Sequence, residues 1–504
     1  MIDYPKHRGL LPACVFGNGM ILQQDRPIPV WGLAEPGDRV TAVLEREGKL
    51  LGEASATAEA DGVFYLELPT QKGSLEACSL TIADGAETVR YEEVLIGEVY
   101  LAAGQSNMEL TNYYTKDGKR LSEEANQPYV RFCKVYREDD GVERVRNRNP
   151  QFSADTKWGR GDNGSDIEWA SAVAYAFSCE LFDRLGKTVP VGFVDTAQGG
   201  VRLETYLTPE QVSRLPRLQH VLQEEKRGME LWGKHGGENY NEVTGLYNER
   251  FYPVSQLKFR GVLWYQGEGN VGTEERCAVY IESFEELCAG FSRCFGENGE
   301  AVPVLYALLA PYAYSESGLS PTALPEFWEA QHELFLRNPK SMREIPIYDL
   351  PLDYIPEDLL PQFSPEQFTP IHPVCKYPIG QRMADAALEL VYGLGSPYIP
   401  PWPAACRVEG DALILTFSGS SGLKTVDGAP LQGFCICGAD RKFVRARAEL
   451  LGGQEVRLTA DGVDKPVAAT YAFYELCTDA NLCDGNGVLA VPFRTDRVPS
   501  EYCC

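Results

Sequence analysis

The run Gly104-Gln105-Ser106-Asn107-Met108 follows an apolar stretch, Val99-Tyr100-Leu101-Ala102-Ala103, so a serine stands where a strand stops and a helix begins. A residue there lies at the carboxyl edge of a sheet, where open α/β sheets bind ligands. Ser106 is either a helix cap or a nucleophile, and Met108 rules out the Gly-x-Ser-x-Gly elbow of α/β-hydrolases. A serine nucleophile needs a base, and the chain has five histidines: His7, His220, His235, His332 and His372. His7 lies in the terminal segment, and His220, His235 and His332 have polar or charged neighbours that favour the surface. In Pro370-Ile371-His372-Pro373 two prolines hold His372 in a turn shortly before a helix expected at about 379. A fixed imidazole near a helix amino end, where protonation is disfavoured, suits a general base; a structural role is the alternative.

Two further strand ends carry polar groups. In Gly261-Val262-Leu263-Trp264-Tyr265-Gln266-Gly267-Glu268-Gly269-Asn270 a buried strand runs into Glu268, which could be a general acid, an orienter of His372 or a solvated loop carboxylate. In Asp195-Thr196-Ala197-Gln198-Gly199-Gly200 paired glycines let backbone amides approach a ligand closely. Three strand ends and a histidine turn could converge on one pocket.

The elements that would position these residues follow from the hydropathy pattern. Residues 10–95 read as short strands broken by turns, such as Val40-Thr41-Ala42-Val43-Leu44 after Pro36-Gly37-Asp38, and predict an N-terminal β-sandwich-like domain over 1–95. The prolines in Pro27-Ile28-Pro29-Val30-Trp31-Gly32 cannot donate to a ladder, so a strand there is expected at a sheet edge or ends early. From 96 apolar strands alternate with helices: Val173, Phe177 and Leu181 share a helical face ended by Gly186, and Ile379, Met383, Ala386, Ala387 and Leu390 share another. That alternation predicts an α/β core with a mainly parallel sheet over 96–395, followed by a C-terminal β domain over 396–504.

Of the 504 residues 44% are hydrophobic and 11% aromatic, which excludes collagen-like, coiled-coil and disordered chains. A net charge of −25 argues against nucleic acid as a partner, because that surface must be met by positive charge. No run approaches 18 apolar residues, and the start lacks the apolar stretch of a signal peptide, so neither a membrane span nor export is expected and the location is read as cytoplasmic. The fifteen dispersed cysteines are accordingly expected as reduced thiols. The pairs Cys435 and Cys437, or Cys477 and Cys483, match no zinc-finger spacing, and no metal is expected.

The motifs Gly104-Gln105-Ser106-Asn107-Met108, Trp264-Tyr265-Gln266-Gly267-Glu268 and Ile371-His372-Pro373 resemble those of the sialate O-acetylesterase family within the SGNH hydrolase superfamily. Met20-Ile21-Leu22-Gln23, Trp31-Gly32, Leu246-Tyr247-Asn248 and Pro492-Phe493-Arg494-Thr495-Asp496 extend the resemblance over nearly the whole chain. It implies an SGNH-hydrolase-like parallel-sheet core and removal of O-acetyl groups from a carbohydrate, sialic acid or a plant cell-wall sugar, with no cofactor. Ser106 would attack the acetyl carbonyl and His372 would take and return its proton. The oxyanion would be held by the amide of Ser106, an amide at Gly199 or Gly200, and the side-chain amide of Gln266. Family members usually carry an aspartate two or three residues before the histidine, where this chain has Pro370 and Thr369. Glu268 is the first candidate for the missing acid, ahead of Glu366, Asp349 and Asp353, and a backbone carbonyl is the remaining alternative. Val201 stands where the family more often has Thr or Ser. Two other readings remain: a carbohydrate-binding protein that has lost turnover, and a glycosidase pairing Glu268 with Glu204.

Overall fold

Alternation builds the N-terminal region of the computed structural model, which describes residues 9–136, 154–231, 241–297, 299–352, 371–419 and 421–496. The strands are β1 (Leu11–Pro12), β2 (Ile21–Gln23), β3 (Ile28–Leu33), β4 (Arg39–Arg46), β5 (Lys49–Thr57), β6 (Val63–Leu68), β7 (Ser74–Ala83) and β8 (Thr88–Gly104). Val40, Ala42 and Leu44 of β4 and Phe64, Leu66 and Leu68 of β6 are buried, as a period of two requires for a sheet with one solvated face. One sheet runs β1-β3-β6; in the other, β4 pairs with β5 and β7, and β7 pairs with β8.

The proline-bearing strand corrects the sequence expectation, because β3 lies in the middle of its sheet. β1 meets β3 only at Gly32 and Leu33, however, whereas Pro29 faces Glu67 of β6 alone. The proline half of the strand therefore has one partner, and no ladder donor is lost on the open side.

β8 is continuous through residues 95 and 96. Its first six residues are exposed or half-buried and run against β7; from Val94 every residue is buried. The buried half is the axis of the first of two compact units, Met1–Gly269 with Glu282–Val304 and Lys376–Ala384. β9 (Gln127–Tyr136), β10 (Asp155–Gly161), β11 (Val191–Asp195) and β12 (Gly261–Tyr265) complete the order β10-β9-β11-β8-β12. β11 runs parallel to β8 and β9, and β12 parallel to β8, while β10 returns antiparallel to β9, so the sheet is mixed. The registers Asp195↔Ala102 and Tyr265↔Gly104 bring three strands to an end at one edge.

The helix Ala172–Arg184 begins on Ser171, whose Oγ accepts the Ala174 amide, and buries Val173, Phe177 and Leu181 as the periodicity predicts. Gly380, in the helix Tyr377–Leu390, lies so close to it that a Cβ would meet the Val173 carbonyl at 2.4 Å. The second unit, Asn270–Ile281, Leu305–Cys375 and Asp385–Cys504, contains short antiparallel ladders including Trp402–Glu409 with Ala412–Ser418 and Phe434–Cys437 with Ala468–Tyr471. The chain is thus mixed α/β with additional C-terminal β sheets.

Candidate active site

Ser106 opens a four-residue helix, Ser106–Glu109, directly after β8. The cap is Gln105, with extended φ and ψ and no side-chain capping bond, so the helix-cap reading of Ser106 fails. Gly104 has φ +140°, and a Cβ there would lie 2.2 Å from the Tyr265 carbonyl, so β8 and β12 approach too closely for a side chain. The strand ends are bonded to one another here. The Gln105 amide donates to Tyr265 O at 3.0 Å, Gln198 N to Gly104 O at 3.3 Å, and the buried Tyr206 hydroxyl lies 3.0 Å from Gly104 O and 3.2 Å from Thr196 O.

After β11, Asp195 turns the chain by accepting the Ala197 amide at 2.9 Å. Burial pushes its carboxyl up to about 6, against the pull of Lys134 3.9 Å away. The turn beyond it lies against the serine, because a Cβ on Gly199 would stand 3.5 Å from the Ser106 Cβ. Gly200, with φ +73°, has the left-handed backbone that glycine tolerates. The Gly199 amide donates to Glu109 Oε2 at 2.6 Å, and Arg250 bonds both Ala197 O and Glu109 Oε1. Glu109 and Arg250 therefore hold the 197–199 turn.

After β12 the loop is organised by the Gln105 side chain, whose Oε1 accepts from Gln266 Nε2 at 3.1 Å, Gly267 N at 3.3 Å and Gly269 N at 3.2 Å. Gln266 is fully buried, and its Nε2 also donates to Val201 O at 3.2 Å. As an oxyanion donor Gln266 would have to release one of these bonds. Glu268 is buried: Asn107 Nδ2 donates to its Oε1, and its Oε2 has no hydrogen-bond partner among the described residues. Burial raises its carboxyl above the usual range; the Asn107 bond, the backbone amides and the Lys376 charge pull it down by less. Lys376, also fully buried, donates to Asn107 Oδ1 and stands 5.3 Å over the Tyr265 ring.

The first unit thus brings together Ser106, Gly199 and Glu268. His372 is half-buried in a turn within the second unit, and Thr369, Pro370, Asp353 and Glu366 lie outside the described residues, as do His7 and His235. Asp349 is half-buried in the second unit. Glu204 is buried in the short helix Leu203–Tyr206, its carboxylate 3.9 Å from Arg202. His220 is exposed as expected. His332 is not: its side chain is 13% exposed, and Nδ1 lies 2.7 Å from the buried Glu344. Alternating polar neighbours in sequence hid a helix face turned inward. Sequence reasoning gave no role to Asn107, Glu109, Arg250 or Lys376. For Asn107 and Glu109 the only signal is adjacency to Ser106, and for Arg250 and Lys376 there is none. The described cysteines carry free thiols, and no group of three or more His, Cys, Asp or Glu among the described residues is arranged to hold a metal. No described helix is long and apolar enough to cross a membrane.

Residues 96–322 match the model of a carbohydrate esterase family described as sialic acid-specific acetylesterase. The sialate O-acetylesterase of Mus musculus is 25% identical over 97% of this chain and 90% of its own length. That of Pongo abelii is 26% identical over 51% of this chain, which there spans about half, 49%, of the relative's length. Among solved structures, a carbohydrate acetylesterase from Xanthomonas citri superposes with a TM-score of 0.77 and 27% identity, over 97% of this chain and 100% of its own. The match spans the ends of β8, β11 and β12, so the part of the chain that carries Ser106, Gly199 and Glu268 is similar to the sialic acid-specific acetylesterase family of carbohydrate esterases.

Proposed function

We propose that the protein is a serine esterase that removes O-acetyl groups from a carbohydrate, sialic acid or a related acetylated sugar. The observation that carries this reading is the bonded cluster of strand ends in which the Gly199 turn lies against Ser106 and Asn107 joins Glu268. Ser106 Oγ attacks the acetyl carbonyl while its proton passes to His372. The tetrahedral intermediate expels the sugar oxygen, which takes that proton, and water then releases acetate from the acyl-serine. The oxyanion is met by the Ser106 amide and the Gly200 amide, the Gly199 amide being held by Glu109 Oε2, with Gln266 bracing that turn through Val201 O and able to donate on releasing it. Glu268 orients the imidazole in place of the missing aspartate; a buried carboxylate oxygen with no partner among the described residues suits an imidazole N–H.

The finer architecture belongs to the same proposal: an SGNH-type core over 96–395, between β domains over 1–95 and 396–504. Acetate release from acetylated sialic acids, xylo-oligosaccharides and aryl acetates tests the activity. Ser106→Ala is expected to lower turnover by at least about 10³-fold and to abolish labelling by a serine-reactive phosphonate. Labelling that persists in this variant refutes the nucleophile. No acetate release by the parent chain favours a binding protein instead.

A further inference from the structure

Lys376 is the one residue of the cluster for which the chemistry above has no use. A fully buried lysine is uncommon, because its ammonium gives up hydration and must recover it from specific partners. Its partners here include Asn107 Oδ1 and the face of Tyr265, both next to the residues assigned to catalysis. Ammonium is a donor only. It can bond Asn107 only through the carbonyl oxygen, so the amide nitrogen of Asn107 must point the other way, where it donates to Glu268 Oε1. Turned over, Asn107 would set its amide nitrogen against the Lys376 ammonium and its carbonyl against the Glu268 carboxylate, so the ammonium disfavours that orientation.

We propose that Lys376 is a positioning residue for the esterase: by locking the amide of Asn107 it fixes the orientation of Glu268 and the backbone at Ser106. This rests on the reading of Ser106 and Glu268 given above. Among the described residues the charge acting on Glu268 is that of Lys376, beside the Asn107 bond and the amides of Gly267 and Glu268.

Lys376→Met keeps the stem and removes donor and charge, leaving Asn107 Oδ1 without this donor, so its kinetics are read on the folded fraction and beside Lys376→Arg, which keeps both. On an aryl acetate its kcat is expected to fall about 10–100-fold with KM within about twofold, the size of loss that follows small displacements of reacting groups. The acid limb of its kcat/KM profile moves to higher pH, because the cation that favours ionised Glu268 is gone, and Lys376→Arg restores that limb. In an Asn107→Ala background Lys376→Met should cost less than about twofold, since the effect travels through Asn107. Parent-like kcat and pH profile, or an equal loss in both backgrounds, overturns the proposal. If the parent chain releases no acetate, the esterase reading fails, and carbon NMR titration of Glu268 still decides this one: a midpoint higher in Lys376→Met supports the coupling, and an unchanged midpoint overturns it.

Discussion

The first unit buries two glutamates near opposite ends of the inner half of β8, and their surroundings differ in kind. Glu98 accepts from Arg260 at 2.6 and 3.0 Å, from Gln24 at 2.5 Å and from Gln23 at 3.3 Å, so both carboxylate oxygens are saturated. Glu268 has Asn107 on one oxygen, no hydrogen-bond partner among the described residues on the other, and a cation only at one remove. A saturated buried carboxylate ties elements together: Glu98 fixes β8 to Arg260, just before β12, and to Gln23 of β2. An unsaturated one keeps bonding capacity for something else and is costly to ionise. Burial alone therefore does not distinguish the two carboxylates; incomplete pairing beside Ser106, the proposed nucleophile, does.

The contrast can be broken by exchanging the consequences of mutation. Glu98→Leu leaves Arg260 and two glutamines without their acceptor and is expected to cost about 3–5 kcal/mol of stability by urea unfolding. Activity of the surviving folded protein should stay within severalfold of the parent. Glu268→Gln should do the reverse, with turnover down about 10²-fold or more and stability changed by less than about 1 kcal/mol, since a costly buried charge is removed. Equal stability losses in the two variants would erase the distinction.

A smaller effect sharpens it. Asp195 is buried like Glu98 but has one amide and a distant lysine, and its carboxyl is raised to about 6 in the folded protein. The folded state then holds a proton that the unfolded state has lost, so its contribution to stability declines as pH rises from about 4 to about 6 and stays low above that. Asp195→Asn should flatten the decline by about 1–3 kcal/mol over that window in urea titrations at successive pH values. An unchanged slope would show that Lys134 compensates fully.

The strands and helices were legible because hydropathy period is a local property: β4, β8, β11, β12 and the helices Ala172–Arg184 and Tyr377–Leu390 lie where alternation and helical spacing put them. Ser106 and Glu268 were legible as polar residues just after apolar runs, and Gly199 as one of a glycine pair beyond a third. β3 was misjudged because a proline reports only that one amide is missing, not which side of the strand is unpaired. His332 was misjudged because its partner, Glu344, comes from another element.

Sequence by itself determined which apolar strands run into Ser106, the glycine pair and Glu268, since that depends on neighbours along the chain. Tertiary structure decided register and pairing, and with them that the glycine turn lies against Ser106 and Glu109 and which carboxylate is left half-satisfied. It alone turned Lys376 inward onto Asn107, because a side chain's partner is chosen by packing between segments 269 residues apart, and no local pattern encodes that choice.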